Sequence, residues 1–286
     1  MLTLLLGPSG SGKSSRLRRE LKARAEAGLH SILVVPEQFT SSTEGALYRT
    51  LGDTLSGYVE SYSFTSLAET LLRRYGGAAV PTLTEAGRAV LVRRALDQLL
   101  DQVTYYSRQR QSAAFCRKAA ETIEELKSAG VRPDELARYA RAPGADTDKL
   151  SELALIYGAY EGLLAQTGMD PGDRQELAAR RLQEAGGGTE FFAGRAVYMD
   201  EFDTFNAPKR ALLAAMLPAA DVTVCLCCDG LQERDGGFGV FSGARQIAAA
   251  LKAMAAKAGV QTHTVQLAED LRHSRAPALA ELSLLL

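Results

Sequence analysis

Gly7-Pro8-Ser9-Gly10-Ser11-Gly12-Lys13-Ser14 is the segment whose residue types and spacing imply chemistry most directly. Glycines spaced through such a run let the backbone turn its N–H groups inward around phosphate oxygens, and a helix starting at its end adds partial positive charge. On this pattern the segment from Gly7 to Ser15 holds the phosphates of ATP. Lys13 reaches the β- and γ-phosphates, and the Ser14 hydroxyl ligates Mg²⁺. A loop that activates its nucleotide also needs a carboxylate at the end of a nearby strand. Ala196-Val197-Tyr198-Met199-Asp200-Glu201 supplies an apolar run ending in two acids. Asp200 would hold Mg²⁺ through its water shell, and Glu201 would orient and deprotonate the attacking water. Alone, such an acidic pair reads as a solvated strand end; the upstream glycine loop favours the metal-holding role.

These residues need a scaffold that brings two distant strand ends together. Short β-rich runs, the strand candidates Leu2–Leu6, Ser31–Val35, Tyr58–Ser61, Ala196–Met199, Val222–Cys227 and Gln261–Val265, alternate with helical patterns, as in a parallel sheet covered on both faces. From Thr84 to about Leu182 helical patterns take over, at Glu85–Leu100, Gln109–Ser128, Asp148–Gln166 and Arg174–Glu184, punctuated by Gly130, Pro133, Pro143 and Gly144. Gly186-Gly187-Gly188 marks the return to the sheet. The expected class is α/β, a P-loop sheet flanked by helices with an inserted all-helical subdomain: residues 1–83 and 186–286 for the nucleotide domain, 84–185 for the insertion.

Composition bounds the rest. With 286 residues, 46% of them hydrophobic, the chain can bury a large core, and 33 basic against 34 acidic residues build no diffuse attraction to nucleic acid. Any nucleic-acid contact is therefore local. No apolar run approaches the roughly 20 residues that span a bilayer, which predicts a cytoplasmic protein without membrane contact. Cys116, Cys225, Cys227 and Cys228 lack paired metal-ligand spacing and read as buried thiols, three of them on one strand. The basic run Arg16, Arg18, Arg19, Lys22 and Arg24 reads as a solvated helix face, and His30, His263 and His273 receive no role. The apolar close at Ala276–Leu286 predicts a fragment of a longer protein or a segment packed on something else.

Three further segments narrow the class: Val34-Val35-Pro36-Glu37-Gln38-Phe39-Thr40, Ser61-Tyr62-Ser63-Phe64-Thr65-Ser66-Leu67-Ala68, and Asp200-Glu201-Phe202-Asp203-Thr204-Phe205-Asn206. Their order resembles the first RecA-like domain of superfamily I helicases of the UvrD type. With the glycine loop near the N-terminus, the V-P-E-Q-F-T segment and the late Arg272-His273-Ser274-Arg275-Ala276-Pro277-Ala278-Leu279, the chain resembles the N-terminal helicase-like region of the AddB (RexB) family. That resemblance covers essentially the whole chain, most specifically residues 1–70 and 195–210. It implies a B subunit of an ATP-dependent helicase/deoxyribonuclease that processes DNA double-strand breaks with an AddA-type partner. It also implies single-strand or strand-end DNA contacts by the post-strand loops, here Gln38, Phe39, Thr40, Ser63 and Phe64. The family's nuclease domain, with its metal site and iron–sulphur cluster, has no counterpart here and is expected only in the full-length protein.

One departure bears on activity. UvrD-like motors follow the next strand with a G-D-x-x-Q sensor, whereas this chain has Cys227-Cys228-Asp229-Gly230, so Asp229 is at best a remnant. Little activity is expected of this chain alone. Two other readings stand beside an ATP-binding motor half. One is a scaffold whose nucleotide site is vestigial. The other is a P-loop kinase acting on a small metabolite, which the water-activating acidic pair and the lack of an arginine-rich lid weigh against.

Overall fold

Leu2, Leu4, Leu5 and Leu6 lie too close together for one helix face and are all buried, as a central strand of a covered sheet requires. The computed structural model describes residues 1–109, 111–232 and 236–268, and it builds this run into β1 (Leu2–Gly7). There follow α1 (Lys13–Glu26), β2 (Ser31–Val34), α2 (Thr40–Ser56), β3 (Val59–Tyr62) and α3 (Phe64–Tyr75). The helical stretch holds α4 (Glu85–Gln98), α5 (Ala113–Ala129), α6 (Pro133–Tyr139), α7 (Thr147–Thr167) and α8 (Pro171–Glu184). The chain continues through α9 (Thr189–Phe192), β4 (Ala196–Met199), α10 (Ala207–Met216), β5 (Asp221–Cys227), α11 (Ser242–Lys257) and β6 (Thr262–Gln266). The late segment Arg272–Leu279, His273 and the apolar close lie outside the described residues.

The six strands form one sheet in the order β3-β2-β4-β5-β1-β6, and every pairing is parallel. The chain is thus α/β with a parallel sheet flanked by helices, consistent with a RecA-like P-loop fold. The almost fully buried strands β1, β2 and β4 stand inside the sheet, whereas β3 and β6, half-buried and more polar, form its edges. On one face, Leu17 and Leu21 of α1 and Leu47 and Leu51 of α2 pack with Leu5, Leu33, Tyr198 and Cys225. Because side chains alternate along a strand, this cluster fixes which positions at the strand ends point toward α1.

Two compact units emerge: Met1–Tyr75 with Ala178–Phe205 and the described residues from Leu212 on, and Gly76–Leu177 with Asn206–Ala211. The second unit has its own core of Leu91, Val92, Leu96, Ile123, Ile156, Tyr157 and Tyr160. Within it, the Lys127 ammonium donates to Glu161, Asp170 and Asp173, each at 2.8 Å, and the Tyr160 hydroxyl donates to Asp170 at 2.6 Å. Helix starts differ from expectation where local capping decides them. The helix placed from Gln109 begins at Ala113, because the Ser112 hydroxyl caps it by accepting from the Phe115 N–H. The one placed from Arg174 begins at Pro171, a residue suited to a first turn because it has no N–H to leave unpaired.

Candidate nucleotide-binding site

The loop Gly7–Gly12 leaves the carboxyl end of β1 and enters α1, whose flanking residue Gly12 adopts φ 85°, a left-handed conformation open to glycine. Gly10 also has φ 85°. Among the described residues, no side chain caps the start of α1 and no acid occupies its first turn. Its first N–H groups therefore lack intrahelical acceptors and carry the positive end of the helix dipole. Gly7 is required by space rather than by φ. A Cβ there would lie 2.3 Å from Ser11 Oγ and 2.9 Å from the Leu267 carbonyl oxygen. The Ser11 hydroxyl is buried and has no hydrogen-bond partner, an orphan of the kind that a ligand satisfies.

Lys13 folds its ammonium over the mouth of the loop, donating to the Gly7 and Pro8 carbonyl oxygens at 2.7 and 2.8 Å. No carboxylate comes within salt-bridge distance of it among the described residues, so its charge is available to an anion. Ser14 opens the helix beside it. Pro8, Ser9 and Ser15 complete the run.

Asp200 directly follows β4. Its N–H donates to the Val34 carbonyl at 3.2 Å, its carboxylate accepts from the Glu201 N–H at 3.0 Å, and it is 9% exposed. The register Met199↔Val224 brings Asp200 level with the buried Cys225; burial first, and the Asp200 charge second, push that thiol well above its ordinary pKa. β5 thus lies between the strand of the glycine loop and the strand of the acidic pair, and both strands aim their carboxyl ends at one edge of the sheet. Glu201, at φ 63°, is the non-glycine residue with positive φ among the described residues. Such a backbone costs roughly 1 kcal/mol or more and collects at functional sites.

A cleft of about 230 Å³ opens between Ser14, Arg18, Asp200 and Glu201 on one side and Phe39, Ser42 and Thr43 on the other. Its lining by Ser14, Arg18, Asp200 and Glu201 suits a hydrated cation and a phosphoryl group. A larger cavity of about 430 Å³ sits at the opposite, amino end of the strands, lined by Met1, Arg24, Arg195 and Asp221. Its arginines are already engaged, Arg24 with Ser31 and the His30 and Gly194 carbonyls, Arg195 with Glu60 and the Phe191 ring. Ligands of open parallel sheets sit at the carboxyl ends, so the smaller cleft is the relevant one.

The loops after β2 and β3 differ from each other. Gln38 and Phe39 remain at the surface, Phe39 being 37% exposed, and Thr40 opens α2 with its hydroxyl donating to the Glu37 carbonyl. Ser63 and Phe64 are instead withdrawn. Ser63 exchanges hydrogen bonds with Ser66 at the start of α3, and Phe64, 2% exposed, packs edge-on against Phe202 and Phe205. The expected stacking role of Phe64 is therefore corrected to core packing, since a ring enclosed by two others offers no face to a base. The cysteines need one correction: Cys116, Cys225 and Cys228 are buried as expected, but Cys227, the last residue of β5, is exposed. Asp229, at the position of the sensor motif, gives both carboxylate oxygens to Arg245 of α11 at 2.8 Å. That buried arginine is a partner the linear pattern did not reveal.

Among the described residues, no group of three or more His, Cys, Asp or Glu side chains could hold a metal ion, and no helix is long and apolar enough to cross a membrane.

Comparison with known proteins gives one consistent answer. The family model described as ADDB, N-terminal, matches residues 4–283. The B subunit of the ATP-dependent helicase/deoxyribonuclease of Moorella thermoacetica is 35% identical over 98% of this chain and 25% of its own length. The proteins of the same name from Desulforudis audaxviator and Acetivibrio thermocellus are 34% and 28% identical over the same shares. The chain spans about a quarter of the length of these curated relatives. A match this long, together with the phosphate-type loop and acidic strand end on one sheet edge, means that the chain belongs to the AddB N-terminal family.

Proposed function

We propose that this chain is the ATP- and DNA-binding helicase-like part of a B subunit in an ATP-dependent helicase/nuclease complex that processes DNA double-strand breaks. The observation that carries the reading is the uncapped start of α1 beneath a glycine loop, with Lys13 held only by loop carbonyls at its mouth and Asp200 two strands away on the same edge. Gly7 to Ser15 hold the nucleotide phosphates by their N–H groups, and Lys13 exchanges its loop carbonyls for phosphate oxygens. Ser14 and Asp200 hold Mg²⁺, and Glu201 orients and deprotonates water. The bound cation supplies charge neutralisation between the phosphates.

Family membership supports an AddA-type partner, with the nuclease and its iron–sulphur cluster belonging to the full-length protein. Gln38, Phe39 and Thr40 are the candidate contacts to a single strand. Ser63 and Phe64 serve that surface indirectly by fixing the entry to α3.

Titration with a fluorescent ATP analogue and Mg²⁺ tests the reading. Wild-type chain should bind, and Lys13→Ala should bind at least about tenfold more weakly, since hydrogen bonds to charged groups contribute about 1.5–3 kcal/mol. The second reading, a scaffold with a vestigial nucleotide site, draws on Asp229 being engaged by Arg245. Absence of nucleotide binding by the wild type would leave that reading alone standing.

A further inference from the structure

We propose that Cys227 is a thiol-modification site on the rim of the glycine loop, where a low-molecular-weight disulfide leaves an adduct in the space that nucleotide phosphates need. The inference rests on the nucleotide-binding reading of the loop and adds a means of switching it.

Exposure singles the residue out. All four cysteines are free, but only Cys227 is exposed. Position then makes it consequential. β5 pairs with β1 in the register Gly7↔Cys227, and the Cys228 N–H donates to the Gly7 carbonyl at 3.1 Å. Cys227 therefore stands one strand spacing, about 4.8 Å, from the first residue of the loop. Its side chain faces the ligand side of the sheet. Cys225 shares an apolar cluster with Leu5 of β1 and with Leu17 and Leu21 of α1, and the two-residue alternation of a strand puts Cys227 on that same face.

The facing position on β1 is Gly7, with no side chain, and beyond it lies the buried, unpartnered Ser11 hydroxyl. That orphan and the uncapped start of α1 point independently to an anionic ligand in this space. On its other side, Cys227 stands two residues beyond Cys225, which lies level with Asp200 on β4's carboxyl end. The exposed thiol is thus set between the two halves of the site.

The chemistry is thiol–disulfide exchange. The Cys227 sulfur, having given its proton to water, attacks one sulfur of the disulfide. The Cys227–S–S–R bond forms as the original S–S bond breaks, and the departing RS⁻ takes up a proton. Cys227 is oxidised to the disulfide level and one half of the reagent is reduced to a thiol. A reducing thiol reverses the step.

Oxidised glutathione is the probe, with the adduct located by peptide mass spectrometry and nucleotide affinity read by titration on the same samples. The expected result is a single adduct at Cys227, a fall in affinity of at least about tenfold, and recovery with dithiothreitol. Saturating Mg·ATP should slow adduct formation by the fraction of sites it occupies. In Cys227→Ser no adduct should form, and oxidised glutathione should leave the affinity at whatever value that variant starts from. An adduct at Cys227 without change in affinity, or labelling unaffected by Mg·ATP in protein that binds it, overturns the proposal and leaves the nucleotide reading standing. Wild-type protein that binds no nucleotide before treatment overturns the reading itself.

Discussion

Gly7 shows how one position joins folding to ligand binding. Its missing Cβ leaves room for the Ser11 hydroxyl and for the Leu267 carbonyl, whose own N–H donates to Leu6. A methyl group there meets backbone as well as side chain, and backbone cannot rotate aside. Gly7→Ala should therefore destabilise the α/β unit by about 1–3 kcal/mol, as overpacked sites do, and weaken nucleotide binding as Ser11 is displaced. Urea midpoint and nucleotide titration check this together; unchanged values in both would show that the loop tolerates the methyl. The glycine loop was legible because all its residues are consecutive and each has its own physical requirement. Phe64 was not, since a post-strand aromatic can face a base or the core, and the choice depends on Phe202 and Phe205, far along the chain. The exposure of Cys227 was hidden for a similar reason: an apolar run does not say which of its residues the rest of the fold leaves uncovered.

At the scale of elements, the central strands were readable because buried β-type runs have few alternatives, and all six strands fall within a residue or two of the segments that predicted them. Helix α2 was less readable. Its run is rich in Ser, Thr and Gly, and Gly52 departs from helical geometry at φ 68°. The long-range polar pairs were not readable at all, because Glu152 is separated by more than forty positions from the groups it serves. Its carboxylate, 6% exposed, accepts from the N–H groups of Thr104, Tyr105 and Tyr106 and from the Thr104 hydroxyl, tying the turn after α4 to α7. Burial alone would raise its pKa, but the three backbone N–H groups outweigh it and hold the carboxyl below the usual range. A carboxyl depressed by folding adds stability above its unfolded pKa, and that stability is lost as pH falls through the folded value. Glu152→Gln, which turns an amide NH₂ toward donors, should cost about 1.5–3 kcal/mol at neutral pH. It should also flatten the acid limb of stability against pH. Urea melts from pH 7 down to 3 would reveal both effects, and a variant keeping the wild-type acid limb would show that Glu152 is not its source.

For the whole molecule, charge balance decides what kind of DNA binding is possible. With 33 basic against 34 acidic residues, no global field draws the chain to a polyanion, and affinity must come from a few local contacts. The surface residues of the loop after β2 are an amide, an aromatic ring and a hydroxyl, Gln38, Phe39 and Thr40, which suit hydrogen bonds to phosphate and stacking on an unpaired base. These uncharged groups release no counterions, so the salt dependence comes from nearby cations such as Arg18, which lines the same cleft as Phe39, and it is shallow. With about two phosphates neutralised by such cations, the single-strand slope of log K against log salt is roughly −1.4, a loss of about sevenfold between 50 and 200 mM salt. Fluorescence anisotropy with single-stranded oligonucleotides of unrelated sequence should therefore give weak, sequence-tolerant binding with that slope, and Phe39→Ala should lower affinity at every salt concentration without changing the slope. A slope near zero would remove the cation–phosphate contacts and leave the uncharged ones, and a slope several times steeper would move the interface to a basic surface away from this loop. The Phe39 variant separates the two components, because stacking carries no counterions: a charged contact to phosphate changes the slope, whereas a stacking contact changes affinity and leaves the slope intact.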